Sequence, residues 1–255
     1  MKATRINWLG TKLAHAQVPA HNLNERVGGE PVSILLLHYT GMVTAAKALH
    51  WLTAPESQVS CHYLVDEHGA ITQMVDENMR AWHAGAGSWR GEEDVNSRSI
   101  GIEIHNPGHK PVYIDFPAQQ MSAVADLSRD IISRHNISAR DVLAHSDIAP
   151  ARKIDPGEKF DWKFLHEKGV GHWVSPEPFS GGSFLQQGDQ GDAVLALQSL
   201  LKHYGYEIQL NSFFDEATRL AVAAFQRHFR QAKVDGVADQ STVATLHKLL
   251  RSLET

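Results

Sequence analysis

Apolar positions along the chain change their period several times, and each change predicts an element. The run VSILLLHYT (residues 32–40) is continuously apolar and ends polar, as expected of a central strand that emerges from cover. CHYLVDEHGAITQMV (61–75) reads as two strands joined at a turn, where Gly69 supplies a backbone conformation closed to most residues. In SRSIGIEIHN (97–106), Ile100, Ile102 and Ile104 alternate with Gly101, Glu103 and His105, so one strand face is apolar and the other is not. TAAKALHWLTA and PAQQMSAVADLSRDIISRHN carry helical spacing instead. Strands and helices interleave without strict βαβ order, which predicts an α+β domain with a mixed central sheet flanked by helices.

Periodicity disappears in VGHWVSPEPFSGGS (170–183), whose prolines and glycines are those of a linker. The chain is therefore divided into residues 1–180 and 181–255. The second part holds three amphipathic stretches, marked by Val194, Leu197, Leu200 and Leu201, by Ala221, Val222, Phe225 and Phe229, and by Val243, Leu246, Leu249 and Leu250. Each opens at an Asp (Asp192, Asp215, Asp239) where a helix wants a cap. In the last two, Thr follows Asp at the third position, the trace of a duplicated unit. A small all-α three-helix domain is expected, tethered by the linker.

Composition narrows the functional classes. At 255 residues with 42% hydrophobic and 21% charged residues, the chain is ordinary globular material with room for two domains. A net charge of -5 and the lack of any Lys/Arg run exclude the electrostatic footprint of a nucleic-acid binder. No apolar run is long enough to span a membrane, and the first residues lack the apolar stretch of a secretory signal. The expectation is a protein that is cytoplasmic as synthesised. The single cysteine, Cys61, allows no intramolecular disulfide.

The densest chemistry lies in LAHSDIAPARKIDPG (143–157). Pro156 favours an extended Asp155, which places Lys153 and Asp155 on one side of the chain, and a loop stiffened by Pro150 lets His145 converge on Asp155. His38, at the polar end of the first apolar strand, is the third candidate. Two imidazoles and a carboxylate suit Zn²⁺ with a fourth position left open. Taken singly, His38 reads as well as a hydrogen-bonded strand-end histidine, and Asp155 as a turn former. Asp147 is an alternative ligand, better read as a cap or as a partner behind the ligands. Cys61 and His62 look like a ligand pair, but strand neighbours point to opposite faces, so His62 is read as structural.

LLLHYTG, SCHYLVDEHGAITQMV, AWHAGAGSW, SIGIEIHN and LAHSDIAPARKIDPG, in this order over roughly residues 30–165, resemble the zinc N-acetylmuramoyl-L-alanine amidases of the AmpD and peptidoglycan-recognition-protein type. The resemblance implies one Zn²⁺ per chain held by His38, His145 and Asp155, with Glu103 as acid/base and Lys153 as the cation beside the developing oxyanion. It also implies that Trp82, His83, Ala84 and Gly85 form a wall of the substrate groove. The implied reaction is hydrolysis of the amide joining N-acetylmuramic acid to L-alanine, releasing stem peptides. These roles agree with general chemistry: zinc supplies hydroxide at neutral pH, a carboxylate on the polar strand face moves protons, and a cation offsets oxyanion charge.

QGDQGDAVLALQSLL, HYGY, FFDEATRLAVAAFQ and VDGVADQSTVATL resemble the type 1 peptidoglycan-binding domain. The implied partners are peptidoglycan or muropeptides. Two other readings compete: a zinc peptidase cutting within the stem peptide, and a non-catalytic peptidoglycan-recognition protein, which would have a broken ligand set. A wall-binding module on a chain without a recognisable export signal leads to the expectation of signal-independent secretion. Self-association is left open.

Overall fold

The structure is a computed structural model, and it describes residues 7–110 and 112–254. Part of the N-terminal stretch examined for a signal, residues 1–6, lies outside them. In chain order the strands and helices are β1 (Ala16–Gln17), β2 (Leu23–Glu25), β3 (Ile34–Tyr39), α1 (Ala45–Thr53), β4 (Tyr63–Val65), β5 (Ile71–Gln73), β6 (Met79–Ala81), α2 (Val95–Arg98), β7 (Ser99–Ile104), α3 (Ala118–His135), β8 (Val142–Ala144), α4 (His145–Ile148), α5 (Trp162–Glu167), α6 (Asp192–Tyr204), α7 (Glu216–Phe229) and α8 (Gln240–Arg251).

Six strands form one sheet in the order β1-β5-β4-β7-β3-β8, with only β4 and β5 antiparallel, so the sheet is mixed as the sequence predicts. Strands β2 and β6 form a separate antiparallel pair. The short β1, β2 and β6 carry no periodic signal.

Alternation along the central strands sorts residues between two layers. Leu35, Leu37, Ile100, Ile102, Ile104, Val142 and Ala144 pack with Val124, Leu127 and Ile131 of α3. Ile34, Leu36 and Leu143 point the other way. His38 and Glu103 continue that second face at the strand ends, and the parallel register sets them directly opposite one another.

The second face is covered in an unexpected way. Ile34, Leu36, Trp89, Leu143 and Ile148 share one apolar cluster with Leu197, Leu201, Tyr204, Tyr206, Phe225 and Phe229 of the C-terminal helices. The three-helix module is packed against the sheet domain, not tethered beside it, because Ile34, Leu36 and Leu143 leave an apolar patch on the sheet face opposite α3 that the module's helices bury. The connecting segment is fixed as well. The Glu177 N–H donates to Thr245 Oγ1 (3.0 Å), Ser241 Oγ donates to the Glu177 carbonyl (2.6 Å), and the His172 ring bridges Tyr204 and Ser252 (3.0 and 2.9 Å).

Asp215 and Asp239 are N-caps that accept from the N–H groups of Thr218 and Thr242, whereas Gly191 takes the cap position of α6 and Asp192 lies one residue inside the helix. The duplication goes deeper than the Asp and Thr pairs. Buried Gln198 accepts from the N–H groups of Asn211 and Ser212 and donates to the Phe213 carbonyl and to Thr218. Gln226, one helix later, accepts from Asp235 and Gly236 and donates to Val237 and Thr242. Each glutamine ties its helix to the loop that starts the next.

Candidate active site

The ends of β3, β7 and β8 open into a cleft of about 390 Å³ lined by His38, Trp51, Trp82, His83, Glu103, His145, Lys153 and Asp155, among others. His38 is the fifth residue of β3 and is buried, with His83, His145 and Asp155 against its ring. His145 opens the one-turn α4, and Asp155 returns beside it, its carbonyl accepting the Ser146 N–H at 3.1 Å. His38 Nδ1 and His145 Nδ1 stand 2.8 Å apart, and each lies near Asp155 Oδ2, at 3.2 and 3.1 Å. The three donor atoms all lie within 4.8 Å of one another, and no other such group of His, Cys, Asp or Glu occurs among the described residues. This arrangement could hold a metal ion.

Hydrogen bonds behind the rings fix which nitrogen faces inward. His145 Nε2 faces the Ala84 carbonyl at 3.0 Å, so it carries the proton and leaves the Nδ1 lone pair free. His38 Nε2 faces His83 Nδ1 at 3.0 Å, and His83 Nε2 lies 3.3 Å from Ser99 Oγ, so a relay of neutral imidazoles backs the site. Burial and the neighbouring His145 bring His38 down to about 4, and burial with the surrounding imidazoles holds His83 well below the usual histidine range. Asp155 is held well below the carboxylate range: burial opposes ionisation, but the interactions with His145 and His38 outweigh it.

Glu103 is pushed well above the carboxylate range, first by burial and then by the Asp155 charge, with Lys153 opposing. Its Oε2 is buried without a hydrogen-bond partner among the described residues. A buried, unpaired carboxyl oxygen is costly for stability alone, and in the cleft it makes Glu103 a candidate for proton transfer. Gly101, two residues earlier on the same face, is glycine for a local reason. A Cβ there would sit 2.6 Å from His83 Nδ1 and 2.8 Å from Cys61 Sγ. Its N–H donates to His62 Nδ1 at 3.0 Å, and His62 Nε2 faces the Met79 carbonyl, which gives His62 a structural place outside the metal-binding group.

The segment 82–85 divides between two locations. Trp82 and His83 line the cleft, and Trp82 Nε1 donates to Asn24 at 2.6 Å. Ala84 is fully buried, and its carbonyl meets both His145 and Arg152. Gly85 is exposed. Sequence reasoning passed over Trp51, a half-exposed aromatic on α1 at the cleft edge, and Arg152, which clamps the carbonyls of Ala84 and Ala86. An exposed Trp on an otherwise amphipathic helix was the available signal for the first. Nothing local distinguished the second.

Residues 28–158 match the N-acetylmuramoyl-L-alanine amidase family model, and residues 190–246 match that of a putative peptidoglycan-binding domain. The chain belongs to the N-acetylmuramoyl-L-alanine amidases. It is 36% identical to the amidase AmiD of Escherichia coli over 86% of this chain and 82% of that protein. The complex of AmiD with anhydro-N-acetylmuramic acid-L-Ala-D-gamma-Glu-L-Lys superposes with a TM-score of 0.75 at 33% identity, covering 91% of this chain and 98% of the other. The structure of AmpDh3 from Pseudomonas aeruginosa in complex with an anhydromuramic pentapeptide gives 0.73 at 29% identity, covering 89% and 95%. Both similarities cover more of the chain than the sheet domain alone. The activity of this amidase is hydrolysis of the bond between N-acetylmuramic acid and L-alanine.

Proposed function

We propose that the amidase is zinc-dependent, with His38, His145 and Asp155 as the ligands, and that it works on peptidoglycan as well as on soluble muropeptides. The observation that carries the reading is the convergence of two imidazole Nδ1 atoms and one carboxylate oxygen beside the unpaired Glu103 Oε2. The donor set fits the ion: two imidazoles that turn Nδ1 inward and a carboxylate, with both rings held from behind, match a three-ligand catalytic zinc site. When bound, zinc acidifies water and polarises the scissile carbonyl.

The rest is done by the chain. Glu103 takes a proton from the attacking water and delivers it to the departing L-alanine nitrogen, its Oε2 carrying no hydrogen bond from the described residues that would have to break first. Lys153, which also lines the cleft, offsets charge on the carbonyl oxygen as it becomes an oxyanion. Trp82 supplies a flat aromatic wall for sugar and peptide, and His83 and Ala84 serve by holding His38 and His145 in place. AmiD and AmpDh3 were each solved with an anhydromuramyl peptide, and that substrate class is assigned here by this likeness.

Work on polymer places the enzyme outside the cytoplasm, which cell fractionation tests. Mass analysis of digested muropeptides tests the bond cut: intact stem peptide beginning at L-alanine supports the amidase, and fragments cut within the stem favour a peptidase. Zinc content of Asp155→Ala tests the ligand set. Full occupancy in that variant would remove Asp155 from the ligand set.

A further inference from the structure

Asp147 lies two residues after His145, yet its carboxylate turns away from the cleft and into the C-terminal module. Oδ2 accepts from the Ala144 N–H at 2.8 Å and from His228 Nδ1 at 2.7 Å, and Oδ1 accepts from the Tyr206 hydroxyl at 2.7 Å. All three side chains are buried, at 1%, 2% and 1% exposure for Asp147, His228 and Tyr206. The His228 ring is stacked on Trp162 with centroids 3.7 Å apart, so its Nδ1 is aimed with little freedom. Just beyond the end of α7, Gln231 Nε2 donates to the carbonyls of Glu158 (2.8 Å) and Phe160 (2.7 Å), a few residues after Asp155.

The module therefore holds the segment that runs from His145 to Asp155 near its start, at Asp147, and just beyond its end, at Glu158 and Phe160. The Ala144 N–H is the joint. It belongs to the residue before His145, and its bond to Asp147 closes the α4 turn from which the imidazole projects. A single-turn helix has almost no stability of its own, so its shape depends on what anchors it. Here the anchor is a carboxylate whose two other donors come from a different domain.

We propose that the C-terminal module completes the metal site from behind, with Tyr206 and His228 acting as positioning residues that fix Asp147, the α4 turn and hence His145. The inference rests on His145 and Asp155 being metal ligands. Partners behind ligating groups typically change metal affinity by about 10- to 100-fold when removed. Two features make this more than domain packing. The two donors converge on one carboxylate, and that carboxylate caps the turn bearing a ligand.

The test uses full-length protein and Zn²⁺ affinity measured by competition with a chromophoric chelator, alongside thermal unfolding of the metal-free form. Tyr206→Phe removes one oxygen, and His228→Leu removes the other donor. His228→Asn keeps an N–H at the position of Nδ1. Arg140→Gln loosens a domain contact elsewhere, since Arg140 Nε donates to the Tyr204 carbonyl at 2.8 Å. The expected result is Zn²⁺ affinity reduced about 10- to 100-fold in Tyr206→Phe and His228→Leu, largely restored in His228→Asn and unchanged in Arg140→Gln. Asp155→Ala, run in parallel, should abolish binding. Wild-type affinity in both Tyr206→Phe and His228→Leu, or an equal loss in Arg140→Gln, overturns the proposal while leaving the ligand assignment standing. Retained Zn²⁺ in Asp155→Ala overturns the assignment and the proposal with it.

Discussion

Glu77→Gln is expected to destabilise the amidase by about 3 kcal/mol at neutral pH and by far less in acid. The Glu77 side chain is fully buried between the sheet and the end of α3. Tyr63 donates to Oε1 at 2.5 Å, Arg134 reaches both oxygens, and His135 Nε2 lies 2.7 Å from Oε2. Burial alone would raise its proton affinity. The hydrogen bonds from Arg134, His135 and Tyr63 outweigh burial and bring it down to about 2 from an ordinary value of 4.5. Each tenfold change in proton affinity is worth about 1.36 kcal/mol, so this drop corresponds to about 3 kcal/mol.

Because the folded-state value lies below the unfolded one, the stabilisation is complete above about pH 4.5 and is lost as pH falls towards 2. At pH 3 about 1 kcal/mol should remain. Glutamine keeps an acceptor for Tyr63 but carries no charge to hold Arg134. Urea unfolding of metal-free wild type and variant at pH 7 and pH 3 measures both gaps. A gap of equal size at the two pH values would mean that the loss comes from packing, and the electrostatic reasoning would fail.

Glu103→Gln should retain zinc and lower turnover by about 10²- to 10⁴-fold, read by stem-peptide release, with near-normal turnover removing Glu103 from the mechanism. Gly101→Ala should perturb the metal site without touching a ligand, since its Cβ would meet His83 at 2.6 Å and so disturb the partner of His38 Nε2. Weakened zinc binding checks this, and unchanged binding would show that His83 moves aside at no cost to His38. Arg152→Ala should leave zinc bound while loosening the 84–86 segment, whose carbonyls lose their clamp, and hydrogen exchange in that segment measures it.

The strands that build the site were legible because burial on both faces leaves an unmistakable signature. Residues 34–39 are continuously apolar up to His38, and 99–104 alternate around Glu103. The convergence of His38, His145 and Asp155 followed from residue type and family likeness, and their distances needed the fold. The packing of the module was hidden. Val194, Leu197, Leu201, Phe225 and Phe229 announce buried faces, but a helical period does not say whether a face meets its own domain or another. Pro176, Pro178, Gly181 and Gly182 suggested a loose connection, while the side chains that pin it come from α8. Asp147 was read as a cap or as a partner behind the ligands; it caps the α4 turn through the Ala144 N–H and also reaches across to His228 and Tyr206. No local pattern links residues 59 and 81 positions apart.

The most direct test of the central claim is a single titration. Purified protein stripped of metal is given increasing Zn²⁺ while release of intact stem peptide from an anhydromuramyl peptide is followed by mass spectrometry, with His38→Ala, His145→Ala and Asp155→Ala beside it. The account predicts that activity rises with zinc, saturates at one ion per chain, and is lost together with binding in all three variants. Full activity in the stripped protein, or a variant that still binds zinc and turns over normally, would contradict it.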